Sequence, residues 1–232
     1  MQLQRSHIKV RSGSGGEFDA YLSRPAVSGR VPAVVLASAV HGVDADIRAI
    51  ADDFAVLGFI AIAPDLFWRT IPGPLPQDDP RTGERPQPRA QVIALGEADL
   101  VDTLEALNTE PLFNGRAAVI GFCFGGPYAI IGPKRLGFEA GVSCHGSAML
   151  DFIGEIEGVK TPVCLIWGDR DNRAPPEVLD AYRALPPKMP NVQLEVFPGV
   201  QHGFMMNDDA RFDAKASAFS MERTAALLAG LR

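Results

Sequence analysis

Residues 117–126 read Ala117-Ala118-Val119-Ile120-Gly121-Phe122-Cys123-Phe124-Gly125-Gly126. An apolar run ends on a reactive side chain framed by glycines, and Pro127 follows where an early helical turn does not need its N–H. The order predicts a strand, a tight turn and a helix. The central residue of such a turn takes strained dihedrals. Side chains two before and two after it would meet neighbouring backbone, so Gly121 and Gly125 suit those places. The turn lifts the sulfur above the carboxyl end of the strand, and the N-terminus of the following helix favours a thiolate. This is the G-x-nucleophile-x-G elbow with cysteine at its centre.

The rest of the chain has the rhythm that such a strand needs. Short apolar runs at 31–37, 59–63, 141–144, 163–167 and 192–197 resemble 117–120, and runs of this kind suit strands buried on both faces. Helix-period segments lie between them at 46–57, 91–107, 175–185 and 209–231. Strand alternating with helix predicts an α/β fold with a mostly parallel, doubly wound sheet. The alternating pattern of 8–22, around Gly13, Gly15 and Gly16, predicts an N-terminal antiparallel hairpin. One stretch, 69–89, holds Pro72, Pro74, Pro76, Pro80, Pro86 and Pro88 and forms no regular element. It follows the end of a strand, where ligands bind in open α/β sheets, so it is expected to be a lid-like loop. Residues 1–232 are expected to form one domain.

Composition narrows the function. The chain has 232 residues, 47% hydrophobic, and a net charge of −6. That is enough apolar material for a core. It leaves no basic footprint for nucleic acid or an anionic membrane. No apolar leader and no run of about 18 apolar residues occurs, so a cytoplasmic protein is expected. Three cysteines in a chain of this length do not make a disulfide framework. Cys144 and Cys164 lie inside apolar runs and read as core. No Cys or His pair has zinc-ligand spacing, so no metal and no cofactor are expected.

A thiol nucleophile needs a base. His202 follows the last apolar run and precedes the final helix, which is where the nucleophile, acid, histidine order of an α/β-hydrolase puts it. The acid should follow the strand between them. Residues 168–172 read Gly168-Asp169-Arg170-Asp171-Asn172. Asp171, at the end of this turn, is the expected acid, and Asp169 is its competitor and a cap for the turn. A carboxylate here would hold the imidazole in one tautomer and stabilise its charged form. Two backbone N–H groups should face the developing oxyanion. Phe124 supplies one, and Val40 or Ala39, after the run 31–37, supplies the other. His41 and His145 each follow an apolar run and are expected in the pocket wall.

Taken together, these residues resemble the dienelactone hydrolase family over nearly the whole chain. The likeness rests on the Cys elbow, on Ala63-Pro64-Asp65-Leu66, on residues 168–171, and on Pro198-Gly199 ahead of His202-Gly203-Phe204. It implies a compact α/β-hydrolase that opens lactones or cleaves small esters through Cys123, Asp171 and His202, with Val40 and Phe124 as oxyanion donors. Two positions depart from the pattern. Ala39 stands where the founding enzymes carry a Glu that meets the resting Cys. Met206 stands where they carry an Arg for the substrate carboxylate. The resemblance implies a second such Arg in the lid, matched loosely by Arg81, with Arg69, Arg85 and Arg89 nearby. The expected partner is a small ester or lactone and the expected state a monomer or small homo-oligomer. A promiscuous small-ester hydrolase, a non-catalytic binding module and a thiol-redox protein are the rival readings. The redox reading lacks a C-x-x-C pair.

Overall fold

The computed structural model describes residues 3–232, in two compact units. The first runs to Ala117 and takes in Leu231–Arg232, and the second spans Ala118–Gly230.

In the first unit, β1 (Leu3–Arg11) and β2 (Glu17–Pro25) form the antiparallel hairpin, with His7 opposite Tyr21 and Ile8 opposite Ala20. Strand β3 (Val31–Ala37) lies inside the order β1-β2-β4-β3, parallel to β4 (Ile60–Pro64), while β2 and β4 are antiparallel. The run Val-Pro-Ala-Val-Val-Leu-Ala of β3 is buried from Pro32 onward, as a strand covered on both faces requires. Helix α1 (Ala45–Val56) is started by Asp44, whose side chain accepts the Ile47 N–H at 3.0 Å. It packs against β2 and β4. Helix α2 (Arg89–Leu107) buries Val92, Ile93, Gly96, Leu100, Thr103 and Leu107, the stripe expected of a helix with one face on a core.

In the second unit, β5 (Phe113–Phe122, begun in the first unit), β6 (Ala140–Cys144), β7 (Val163–Gly168) and β8 (Val192–Phe197) run parallel in that order. Helices α3 (Tyr128–Ile131), α4 (Glu177–Arg183) and α5 (Ala214–Leu228) belong to this unit. Cys144 and Cys164 are buried in β6 and β7, as core residues.

The fold class expected from the apolar runs is the one observed. Two helix boundaries differ. The last helix begins at Ala214 rather than near Asp209, because Asp213 caps it by accepting from Lys215 and Ala216 N–H at 3.0 and 2.9 Å. Asp209 is held instead by Arg211, whose Nε donates to it at 2.8 Å. After the elbow, a 3-10 turn (Cys123–Gly125) leads to α3 and then a wider π turn (Gly132–Leu136). Pro133 has no N–H for a regular ladder there. The ordered α stretch is short, so a long helix dipole contributes less at Cys123 than the sequence suggests.

Candidate active site

The elbow forms as the glycines require. A Cβ on Gly121 would lie 2.0 Å from the Gly125 carbonyl oxygen, so no other residue fits without moving backbone. Cys123 sits at φ 50°. Positive φ in a residue with a side chain costs about 1–3 kcal/mol and marks a place where the surroundings over-determine the backbone. Here the Cys123 carbonyl accepts from Gly126 N–H at 3.0 Å and from Ser147 N–H at 2.8 Å. Its half-buried Sγ lies 3.9 Å from Ser147 Oγ.

His202 is carried by the loop after β8. That loop is tied to the turn after β7 by three bonds: Asp169 N–H to Phe197 O at 3.1 Å, Arg170 N–H to Val200 O at 2.9 Å, and Gly199 N–H to Asp169 Oδ1 at 2.7 Å. Asp169 therefore fastens the two turns together. Asp171 reaches the imidazole, with Oδ2 2.7 Å from His202 Nδ1, and its Oδ1 accepts the Arg173 N–H at 2.8 Å. Its side chain is fully buried. The structure thus brings Asp171 and His202 together.

The electrostatics make a pair of Cys123 and His202. Burial pushes the Cys123 thiol up, but the proton and charge of His202, with Ser147 and the Phe124 N–H, outweigh it and hold the thiol below its ordinary value. Burial pushes His202 down, yet Asp171 and Cys123 raise it to about 9. Each group thus favours the charged form of the other. Alkylation of Cys123 by iodoacetamide should therefore reach half its plateau below about pH 8.5, the free-thiol value. His202→Phe should move that midpoint upward, since burial then acts against less opposition. A free-thiol midpoint in the unsubstituted protein would rule the pair out.

The remaining predicted residues are placed as follows. In the second unit, Phe124 and Met206 are buried, and His145 lies with its ring centroid 4.9 Å from that of His202. In the first unit, Ala39 is buried and Val40 and His41 are partly so. The turn 39–42 is held at three carbonyls. Ala39 O accepts Gly42 N–H at 3.0 Å, Val40 O accepts Arg85 at 2.9 Å, and His41 O accepts Leu75 N–H at 2.9 Å.

The arginines of the Pro-rich stretch 69–89 are engaged within their own unit. Arg81 is exposed and donates through Nη2 to Asp79 at 2.6 Å. Arg69 pairs with buried Asp99 at 2.7 Å. Arg85 is fully buried, spends its donors on the carbonyls of Val40, Ile71 and Gly73, and lies over the Phe67 ring. It fastens 71–73 to the turn 39–42, where a Cβ on Gly42 would come within 2.9 Å of its Nη1.

Sequence reasoning missed Ser147 and the Asp209–Arg211 pair. Ser147 lies three residues beyond the end of β6, and the strand-end rule pointed to that loop. Arg211 is close enough for the charges of Cys123 and Asp171 to act on it. No local motif marks it.

Known proteins resemble this chain over nearly its whole length. Carboxymethylenebutenolidase 1 of Cupriavidus pinatubonensis is 28% identical over 233 residues, covering 97% of each chain. A dienelactone hydrolase-like promiscuous phosphotriesterase from metagenomic libraries shares the fold at 22% identity and a TM-score of 0.80, covering 100% of this chain and 99% of its own. The dienelactone hydrolase of Anabaena variabilis does so at 20% identity and a TM-score of 0.72, covering 100% of both chains. The model of the dienelactone hydrolase family matches residues 18–231, from the second strand of the hairpin through the final helix, and the chain belongs to that family.

Proposed function

We propose that this protein hydrolyses small carboxylic esters or lactones through a thioester on Cys123. The observation that carries the reading is the buried contact of 2.7 Å between Asp171 Oδ2 and His202 Nδ1, beside a thiol that His202 holds below its ordinary pKa. A non-catalytic binder has no use for a fixed imidazole beside a thiol made more acidic by it, and family membership supports the hydrolase.

The thiolate of Cys123 attacks the carbonyl carbon, and the carbonyl π pair moves onto oxygen. The N–H group of Phe124 is the donor assigned to that oxygen. Collapse breaks the C–O bond, and the imidazolium of His202 protonates the leaving alkoxide. In a lactone the new hydroxyl stays tethered to the acyl group. His202, now neutral, takes a proton from water as the water attacks the thioester, and the thiolate leaves. An activated aryl ester should give a burst of about one product per Cys123 before steady turnover, the kinetic mark of an accumulating acyl-enzyme. Steady turnover with no burst and no trapped adduct on Cys123 would discard the covalent route.

The substrates favoured are neutral. Met206 and Ala39 are buried and apolar at the two departing positions, and Arg81 and Arg211 each hold a carboxylate of this chain. A short neutral aryl ester should therefore exceed carboxylate-bearing dienelactone in kcat/KM. The reverse order would show that the protein recognises the substrate carboxylate by other groups.

A further inference from the structure

His145 stands in a strained and unsatisfied position that the mechanism above leaves unused. It follows β6 directly and has φ 42°, one of three residues other than glycine with positive φ among those described, Cys123 being another. Its N–H is spent on Ile166 O at 2.9 Å. The side chain is 1% exposed, and neither ring nitrogen has a hydrogen-bond partner among the described residues. Nε2 of His202, the nitrogen left for Cys123, is buried and has no nitrogen or oxygen partner among the described residues. The two rings meet edge to face at 4.9 Å, with Phe204 and Phe122 at 5.3 and 6.2 Å from His145 closing the apolar side.

A core that needed only a ring here would be better served by phenylalanine, which leaves no polar atom unpaired. The two unpaired nitrogens of His145, on a ring that touches the ring of His202, suit a small guest that can both donate and accept. Substrate carbon does neither, and water does both. Burial, with the charge of His202 acting in the same direction, keeps His145 neutral, so it offers one donor and one acceptor.

We infer that His145 holds the water that hydrolyses the acyl-enzyme, presenting it to His202 Nε2. The inference rests on the acyl-enzyme reading. In the step, the water oxygen bonds to the thioester carbonyl carbon and one of its protons goes to His202. The C–S bond then breaks, and the electron pair returns to Cys123 as thiolate. His145 hydrogen-bonds the water and keeps its own proton throughout. Acylation uses no water, so His145 acts in deacylation alone. That separates it from a residue that merely props His202, whose loss would slow both halves of the reaction.

The test compares His145→Phe, which keeps the ring and removes both nitrogens, with His145→Asn. Asparagine tolerates positive φ and restores a donor and an acceptor. Stopped-flow hydrolysis of p-nitrophenyl acetate reads acylation from the burst and deacylation from the steady phase. The Phe variant should keep the burst amplitude and rate and the pH midpoint of Cys123 alkylation. Its deacylation should fall at least about tenfold, the scale of a misplaced reactant. Asn should recover most of that loss. If Phe does not fold, His145→Leu is measured in its place. Deacylation at the unsubstituted rate overturns the inference, as does a loss shared by burst, deacylation and alkylation. Absence of a burst in the unsubstituted protein overturns the acyl-enzyme reading and this inference with it, whereas a burst in both proteins with equal deacylation overturns the role of His145 alone.

Discussion

Cys123→Ala is expected to lower kcat/KM for an activated ester by at least about a thousandfold, as removal of a covalent nucleophile does in other triads. The protein should still fold. The side chain is half-buried and lies among polar neighbours, so its removal leaves no core cavity, and alanine meets the same strain at φ 50° that cysteine does. The thermal midpoint should shift by only a few degrees, roughly what a change below about 1 kcal/mol gives at this chain length. Peptide mapping after brief iodoacetamide treatment should find the label on Cys123. The other two thiols are buried in strands and pushed up by burial, Cys164 to about 12. Full activity in Cys123→Ala would end the proposed chemistry.

The second large effect belongs to the imidazole and its carboxylate. His202→Ala and Asp171→Asn should each cost at least about a hundredfold in kcat, and the double variant much less than the product, because the two groups act as a unit. Asp171→Asn keeps the shape but removes the charge that raises His202. Its pH–rate profile should show the imidazole titrating lower than in the unsubstituted protein. Asp169→Asn is the control. Asp169 takes the Gly199 N–H at 2.7 Å and does not touch the imidazole, so its loss should loosen the His202 loop and cost less activity than Asp171→Asn. If Asp169→Asn were the more damaging, the wrong carboxylate has been assigned.

The parts of this molecule legible in the sequence are those governed by short-range rules. Two-residue alternation marked the hairpin, apolar runs marked β3 to β8, and the paired glycines marked Cys123. Asp171 and His202 were findable because the order of a parallel sheet puts strand ends on one edge, so counting strands locates loops. What was not legible depended on partners far along the chain. Arg85 read as one of several loop arginines. Its burial follows from carbonyls of Val40, Ile71 and Gly73 meeting at one place, which no periodicity encodes. The helix-period segment began at Asp209, but the helix itself starts after Asp213, which caps it, while Asp209 is held by Arg211. The unpaired nitrogens of His145 likewise depend on neighbours from β5 and from the loop after β8.

The burial of Cys144 and Cys164 has a consequence for damage rather than for turnover. Peroxide oxidises thiolates, so among the three thiols of this protein an oxidant meets one susceptible group, at Cys123, and two protonated ones sealed inside the sheet. Inactivation should then follow a single-hit course, one equivalent of oxidant for each active site lost. The first product, a sulfenic acid, finds no ready thiolate to condense with, since Cys144 and Cys164 are buried in β6 and β7 and held protonated by that burial. A small external thiol can still reverse that stage, and further oxidation removes the site for good. The working life of the protein in an oxidising medium is set by the supply of reductant around it, while the core remains chemically intact.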